Sequence, residues 1–200
     1  PEVGGYSTTN TIILGEMLEA LTGVPVEEVV TDVARQAGMT ETALQAPELT
    51  AMPDPASRGY MGASGAEQMA QLGLDVAPDA DVTDWTPSWG QAGGGMYSTV
   101  ADLGLWAETG LGTSLLPADV AAERLDFQPI PEGSYGLGVF DFGNGWIGHS
   151  GQIIGWESIV LYNRDTGAAF TAIVNDTGNL GAAESVAFTV LPDLGGLFGL

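Results

Sequence analysis

Gly148-His149-Ser150-Gly151-Gln152 is the stretch on which the fold turns, because it sets the chain's only histidine between glycines in the most strand-like part of the sequence. After it, residues 158–162 and 168–175 are two β-branched and aromatic runs. They are joined by Asn163-Arg164-Asp165-Thr166-Gly167, a five-residue hairpin loop ending in glycine. Before it, residues 135–142 alternate as one strand and turn at Gly143-Asn144-Gly145. The pattern predicts an antiparallel sheet of at least three strands carrying a glycine-flanked His-Ser pair.

Composition narrows the function. The 200 residues are 44% hydrophobic, enough for one good core with a lobe beside it. A net charge of −22 arises less from the 26 acids than from the near absence of bases, which are Arg35, Arg58, Arg124 and Arg164 with no lysine. Nothing in such a chain neutralises phosphates, so nucleic acid and anionic membrane are poor partners. Without cysteine there is no disulfide framework, thiol nucleophile or zinc-thiolate site. Apolar runs such as residues 11–14 and 159–162 fall far short of the ~20 residues of a membrane span. The first residue is Pro1 and no signal-peptide pattern is visible, so a leader would lie outside the sequence and the chain looks cut at its front.

Taken in order, hydroxyls in Tyr6-Ser7-Thr8-Thr9-Asn10 could cap a helix that carries Ile12, Ile13, Met17 and Leu21 and closes at Thr22-Gly23. A second helix over about 26–37 turns Val29, Val30 and Val33 inward and stops at Gly38. Residues 39–95 lose all period, with short apolar stubs such as 69–74. A stretch of that kind is either an ordered, function-bearing excursion or a mobile one; Trp85 and Trp89 argue for order at its end, and the expectation is a substrate-facing lobe. Ser98-Thr99-Val100-Ala101-Asp102 opens a helix to about Glu108, Pro117 starts another to about Leu125, and 181–191 reads as a last helix before a glycine-rich tail over 194–200.

The motifs must be weighed against plain structural roles. Gly148-His149-Ser150-Gly151-Gln152 and Gly62-Ala63-Ser64-Gly65-Ala66 both miss the last glycine of a G-x-S-x-G elbow. His149 and Ser150, adjacent on a strand, leave opposite faces and cannot form a nucleophile-base pair. One histidine and scattered acids leave no metal set and imply no cofactor. A lone strand histidine is by default a hydrogen-bonded structural residue; the glycines beside it suggest that a ligand or another chain approaches the backbone. Tyr6, by default a packing residue, could act as a base only beside a cation that lowers its pKa from about 10.

The order of three stretches carries a resemblance. Tyr6-Ser7-Thr8-Thr9-Asn10 leading to Thr22-Gly23, Ala92-Gly93-Gly94-Gly95-Met96-Tyr97-Ser98-Thr99 with Asp102-Leu103, and Tyr135-Gly136-Leu137-Gly138 running to His149-Ser150-Gly151 follow one another across nearly the whole chain. Together with Tyr162-Asn163-Arg164-Asp165-Thr166-Gly167 and Val174-Asn175, they resemble the C-terminal portion of the serine β-lactamase-like superfamily, which includes class C β-lactamases, D,D-peptidases and related esterases. The resemblance implies that Tyr6 is the general-base or proton-relay tyrosine. It further implies that His149, Ser150 and Gly151 stand for the Lys-Thr-Gly triplet of the substrate strand, and that the Gln152 N–H is one arm of the oxyanion hole. Thr8 falls where the family usually has asparagine; a hydroxyl lacks the amide's paired donor and acceptor, which favours ester over acylamino substrates. The family's nucleophile lies in an S-x-x-K motif upstream of the tyrosine, and a chain without lysine cannot hold that motif.

The fold expected is therefore α/β (α+β): an antiparallel sheet flanked by helices, with its first part missing. It divides into tyrosine-motif helices (1–38), an irregular and helical lobe (39–134), and strands with a C-terminal helix (135–200). The function expected is a serine hydrolase acting on an ester or amide carbonyl of a small molecule or peptide, inactive without its upstream segment. That segment, as a separate chain, or a homo-oligomer would be the partner, and a secreted or cell-envelope setting fits the acidic surface. The competing class is a non-catalytic binding or scaffold protein of the same fold.

Overall fold

The computed structural model describes residues 4–85, 89–178 and 181–198. Helices α1 (Thr8–Thr22) and α2 (Val26–Gln36) come first, then a short strand β1 (Ala43–Leu44), helix α3 (Gly62–Gln71), strand β2 (Met96–Tyr97), and helices α4 (Val100–Trp106) and α5 (Ala118–Arg124). An unbroken meander follows: β3 (Gln128–Ile130), β4 (Gly133–Tyr135), β5 (Phe140–Gly143), β6 (Trp146–Ile153), β7 (Trp156–Asn163) and β8 (Ala169–Val174), closed by helix α6 (Ala182–Phe198). These six strands form one antiparallel sheet in chain order, while β1 and β2 pair separately.

The β6–β7 ladder is the longest in the sheet, running in register from Trp146↔Asn163 to Ile153↔Trp156. Its two-residue turn needs Gly155 at φ +88°. Alternation along the two strands feeds two cores. Ile147 and Val160 pack with Val139 against Ala107 and Leu111 of the π-helical turn that extends α4. Ile159 and Leu161 face the other way, against Ala183 and Ala187 of α6. Burying each large aliphatic side chain is worth ~1.5–3 kcal/mol, so this ladder anchors both layers. The buried Glu157 ties β7 to α6 by accepting from the N–H groups of Gly181 (3.2 Å) and Ala183 (3.3 Å) at the helix start, where a carboxylate also meets the positive end of the dipole.

Several local expectations change. Residues 135–142 are two strands, because Gly136 N–H bonds the Val139 carbonyl (2.8 Å) and Gly138 adopts φ +73°, turning the chain back on itself. Residues 39–95 contain α3 and β1; the Gly62-Ala63-Ser64-Gly65-Ala66 stretch lies in α3, where small residues pack closely against the 176–178 segment. In α2 the buried positions are Val26, Thr31 and Ala34, and Val33 is exposed. The N-cap of α1 is Ser7, whose side chain makes no capping bond, although Gly23 closes the helix in the left-handed region as expected. Trp85 and Trp89 are exposed, so burial of their indoles does not order the end of the excursion. Helix α6 runs through Pro192 to Phe198, past the expected stop at 191.

The glycines of β6 also take a different meaning. A Cβ on Gly148 would stand 2.0 Å from the Val160 carbonyl oxygen, and one on Gly151 would stand 2.7 Å from Ser158 Oγ. Both are small because β7 lies against them, and a ligand is not needed to explain either. Gly148→Ala should therefore cost about 1–3 kcal/mol or more in urea unfolding. By contrast, Gly104→Ala, in α4 with open space around it, should be neutral or stabilising by ~0.5–1 kcal/mol. Equal effects at the two positions would show that the β6–β7 contact is not the constraint.

Candidate active site

Tyr6 lies in the extended segment before α1, with its N–H pointing to Glu132 Oε2 (3.4 Å) in the β3–β4 turn. Its ring meets three others from the sheet. The centroid distances are 5.5 Å to His149, 5.8 Å to Tyr135 and 5.9 Å to Phe140. Tyr135 and Phe140 sit opposite each other in the β4–β5 ladder, their rings 4.4 Å apart and edge-to-face. Residues distant in sequence thus gather where α1 begins and β6 loses a neighbour.

That loss follows from register. β5 pairs with β6 only at Gly143↔Trp146, Asp141↔Ile147 and Phe140↔Gly148, so among the described residues β6 has no strand on that side from His149 onward. Ile153↔Trp156 closes a two-residue hairpin and must exchange both backbone bonds; alternation then makes His149 and Gly151 the residues bonded to β7. The N–H groups of Ser150 and Gln152 consequently point out of the open edge. Gln152 stands one residue from the β6–β7 turn, its side chain amide donating to Glu157 (3.2 Å).

His149 has both ring nitrogens engaged, Nε2 with the Tyr135 hydroxyl at 3.0 Å and Nδ1 with the Ser150 carbonyl at 2.5 Å. Burial holds the imidazole below its ordinary value of 6.5, while the Ser150 carbonyl and Glu184 pull the other way. Burial likewise pushes the Tyr135 phenol up to about 12, Tyr6 adding to the rise and Arg124 opposing it. The Ser150 contact is to backbone, so the His-Ser pair is no nucleophile and base, as its strand geometry requires. Thr8 opens α1 with its methyl over Gly93, where a Cβ would come within 2.4 Å of it. Residues 90–95 thus flank Tyr6's helix, and the 58–82 segment packs through Val82 and Met61 beside Ile154, just past Gln152.

Each of the chain's four arginines has partners of its own. Arg35 pairs with Asp32 (2.7 Å), Arg58 with Asp81, Arg124 donates to the carbonyls of Gly110 and Leu137, and Arg164 lies 5.7 Å over the Phe127 ring. Among the described residues no three His, Asp or Glu side chains gather to hold a metal, and no helix is long and apolar enough to cross a membrane. Two open cavities of about 310 and 300 Å³, one beside α2 and β1 and one between Val33 and Arg124, do not reach Tyr6 or His149. The candidate site is an open strand edge beside an aromatic cluster.

Sequence reasoning named Tyr6, Thr8, His149, Ser150, Gly151 and Gln152; the structure joins the Tyr6 and His149 rings and turns the Gln152 N–H to the same strand's free edge. Tyr135, Phe140 and Glu132 were missed as neighbours of Tyr6. Tyr135 was visible only as part of Tyr135-Gly136-Leu137-Gly138, and its partner could not be known before the β4–β5 turn was.

Helices on both faces of an antiparallel meander, with a tyrosine-led helix set against an open strand edge, define the β-lactamase/transpeptidase-like class of fold. The chain belongs to the Beta-lactamase family, whose model matches residues 2–191. Among solved structures it is similar to a D-stereospecific amidohydrolase from Streptomyces sp. (27% identity, TM-score 0.73) and to the D-amino acid amidase of Ochrobactrum anthropi SV3 complexed with D-phenylalanine (28%, TM-score 0.70). Each match covers 88% of this chain and 52% of the other. An octameric penicillin-binding protein homologue from Pyrococcus abyssi (19%, TM-score 0.67, 94% of this chain and 42% of the other) shares the fold. The chain spans about half the length of these structures.

Because the folded His149 binds its proton less readily than the unfolded one, the unfolded state holds more protons as pH drops below about 6.5, and stability must fall there. That contribution is fully present above the unfolded value and is lost down to the folded one. Urea unfolding of the native chain and of His149→Gln between about pH 7.5 and pH 5 should show a downward slope in the native chain that the variant lacks. Parallel curves would show that His149 is not held neutral by the fold.

Proposed function

We propose that this chain is the C-terminal portion of a serine hydrolase that forms an acyl-enzyme, its nucleophilic Ser and Lys supplied by an upstream S-x-x-K segment outside the sequence. The observation that carries the proposal is the meeting of Tyr6 with a strand edge whose Ser150 and Gln152 N–H groups are open. The serine oxygen attacks the carbonyl carbon, and the Gln152 N–H steadies the resulting oxyanion. Tyr6, with the missing lysine as its cation, passes the serine's proton to the leaving amine or alcohol as the C–N or C–O bond breaks. Water then enters by the reverse relay and releases the acid.

The substrate is a small ester or amide. Thr8 in place of the family's asparagine argues for esters, while the amidohydrolase and D-amino acid amidase likenesses bring amides of D-amino acids into the same class. That all four arginines are engaged by other groups, and that none of their contacts is to Tyr6, supports an outside source for the cation. A homo-oligomer, as in the octameric neighbour, is the competing partner.

The 200-residue chain alone should show no saturable turnover of a chromogenic short-chain ester, a fluorescent β-lactam or D-phenylalanine amide. Turnover abolished by Ser150→Ala or Ser64→Ala would overturn this; Ser64 Oγ is already bonded to the Gly178 carbonyl at 3.1 Å. Joined to an S-x-x-K segment the chain should turn over one of these substrates, and Tyr6→Phe should then lower the rate by ~10² or more with little change in stability. A joined protein that folds, binds substrate and turns over nothing would support the non-catalytic binding module instead.

A further inference from the structure

A carbonyl oxygen only accepts hydrogen bonds, so the 2.5 Å contact from His149 to the Ser150 carbonyl requires the hydrogen on Nδ1. A neutral ring so protonated carries a lone pair on Nε2, and the Tyr135 hydroxyl 3.0 Å away must then be the donor. Among the described residues these are the imidazole's hydrogen-bond partners. We propose that Tyr135 is a positioning residue: its hydroxyl locks His149 as the neutral Nδ1–H tautomer, and the ring so held braces the Ser150 carbonyl on the open edge of β6.

The Ser150 carbonyl and the Gly151 N–H belong to one planar peptide, so a brace on the first also orients the second, which bonds to β7. The next N–H outward is that of Gln152. On the hydrolase reading given above, Tyr135 acts through His149 on the aim of the oxyanion donor, and His149 neither gives the substrate a proton nor carries a charge for it. The histidine is then no functional copy of the lysine it replaces in the resembling triplet.

The surroundings agree with this assignment. Burial keeps Tyr135 protonated far above neutral pH and disfavours the charged form of His149. The ionisable groups that face the pair are Tyr6 from the segment before α1, Glu184 from α6 and Arg124 from α5, with Glu132 of the β3–β4 turn behind Tyr6. Phe140 fills a third side, 5.1 Å from the imidazole.

A single histidine makes the test direct, because a long-range proton-nitrogen NMR spectrum of the nitrogen-15-labelled chain contains one imidazole. At about pH 7 the native chain should show a protonated, pyrrole-type Nδ1 and an unprotonated Nε2, and should keep that pattern below the ordinary histidine midpoint of about 6.5. In Tyr135→Phe the pattern should move to mixed tautomers with a higher titration midpoint, and the Ser150 and Gln152 amide signals should shift while that of Gly167 stays. Tyr6→Phe should leave the tautomer unchanged.

A native ring protonated on Nε2, or on both nitrogens at that pH, would overturn the proposal. So would a folded Tyr135→Phe with an unchanged imidazole or unmoved Ser150 and Gln152 amides. The native tautomer is read without any variant, so a Tyr135→Phe chain that fails to fold still leaves the assignment open to refutation. The readout needs no catalysis, so failure of the hydrolase reading and failure of this one are separate results.

Discussion

The close approach of β7 to β6 is the constraint on which the rest of the molecule hangs. With the Val160 carbonyl seated where a Gly148 side chain would stand, the eight residues of β6 keep one register with β7. A slip of one residue would send Ile147 to the α6 face and Ile159 to the helical lobe, emptying both cores at once. The same register decides which N–H groups point away from β7. Stability and the open edge are therefore consequences of one pairing.

The other side of β6 is shaped by where β5 stops. The turn at Gly136-Leu137-Gly138-Val139 returns the chain early, so β5 covers β6 only as far as Gly148, and the Tyr135–Phe140 pair stands at the boundary. An exposed strand edge ordinarily invites pairing with another chain. Here the start of the edge is crowded by Tyr6, Tyr135, Phe140 and His149, whose rings sit edge-to-face or tilted to one another. What remains open is short and lies beside Gln152.

The strands around β6 were legible because period-2 alternation and glycine loops are local signals. The Asn163 to Gly167 loop forms as expected, with the Asn163 side chain accepting from the N–H groups of Asp165 and Thr166 at 3.0 Å. Helix α4 was legible for the same reason, with the Thr99 side chain accepting from Asp102 N–H at 3.1 Å. Helix α3 was not, because its sequence, Gly62 to Gln71, holds glycine and alanine where a periodic apolar face would show; it is held by packing on residues 176–178. The split at Tyr135 was hidden inside an apparently continuous alternation. Of the site, Tyr6 and His149 were named from motif order alone, since nothing local brings residues so far apart in sequence together, and the hydrogen bond of Tyr135 to His149 depends on a turn that alternation cannot reveal.

Helix α1 carries the argument one step further. Gly15 is its one buried position, lying against Ala92 and Val26, while Ile13, Leu14, Met17, Leu18 and Leu21 face solvent. A helix gains most of its stability in a protein from packing an apolar face, and in α1 five large apolar side chains are left open. The chain also spans only about half the length of the amidohydrolase and amidase structures it matches. On the proposed reading these two facts have one cause. An upstream segment bringing a serine and a lysine to Tyr6 would come close to α1, which Tyr6 precedes by two residues, and the open apolar face would give it a place to dock. Catalytic incompleteness and the uncovered face of α1 would then be removed together, whereas a homo-oligomer would cover the face without supplying a lysine.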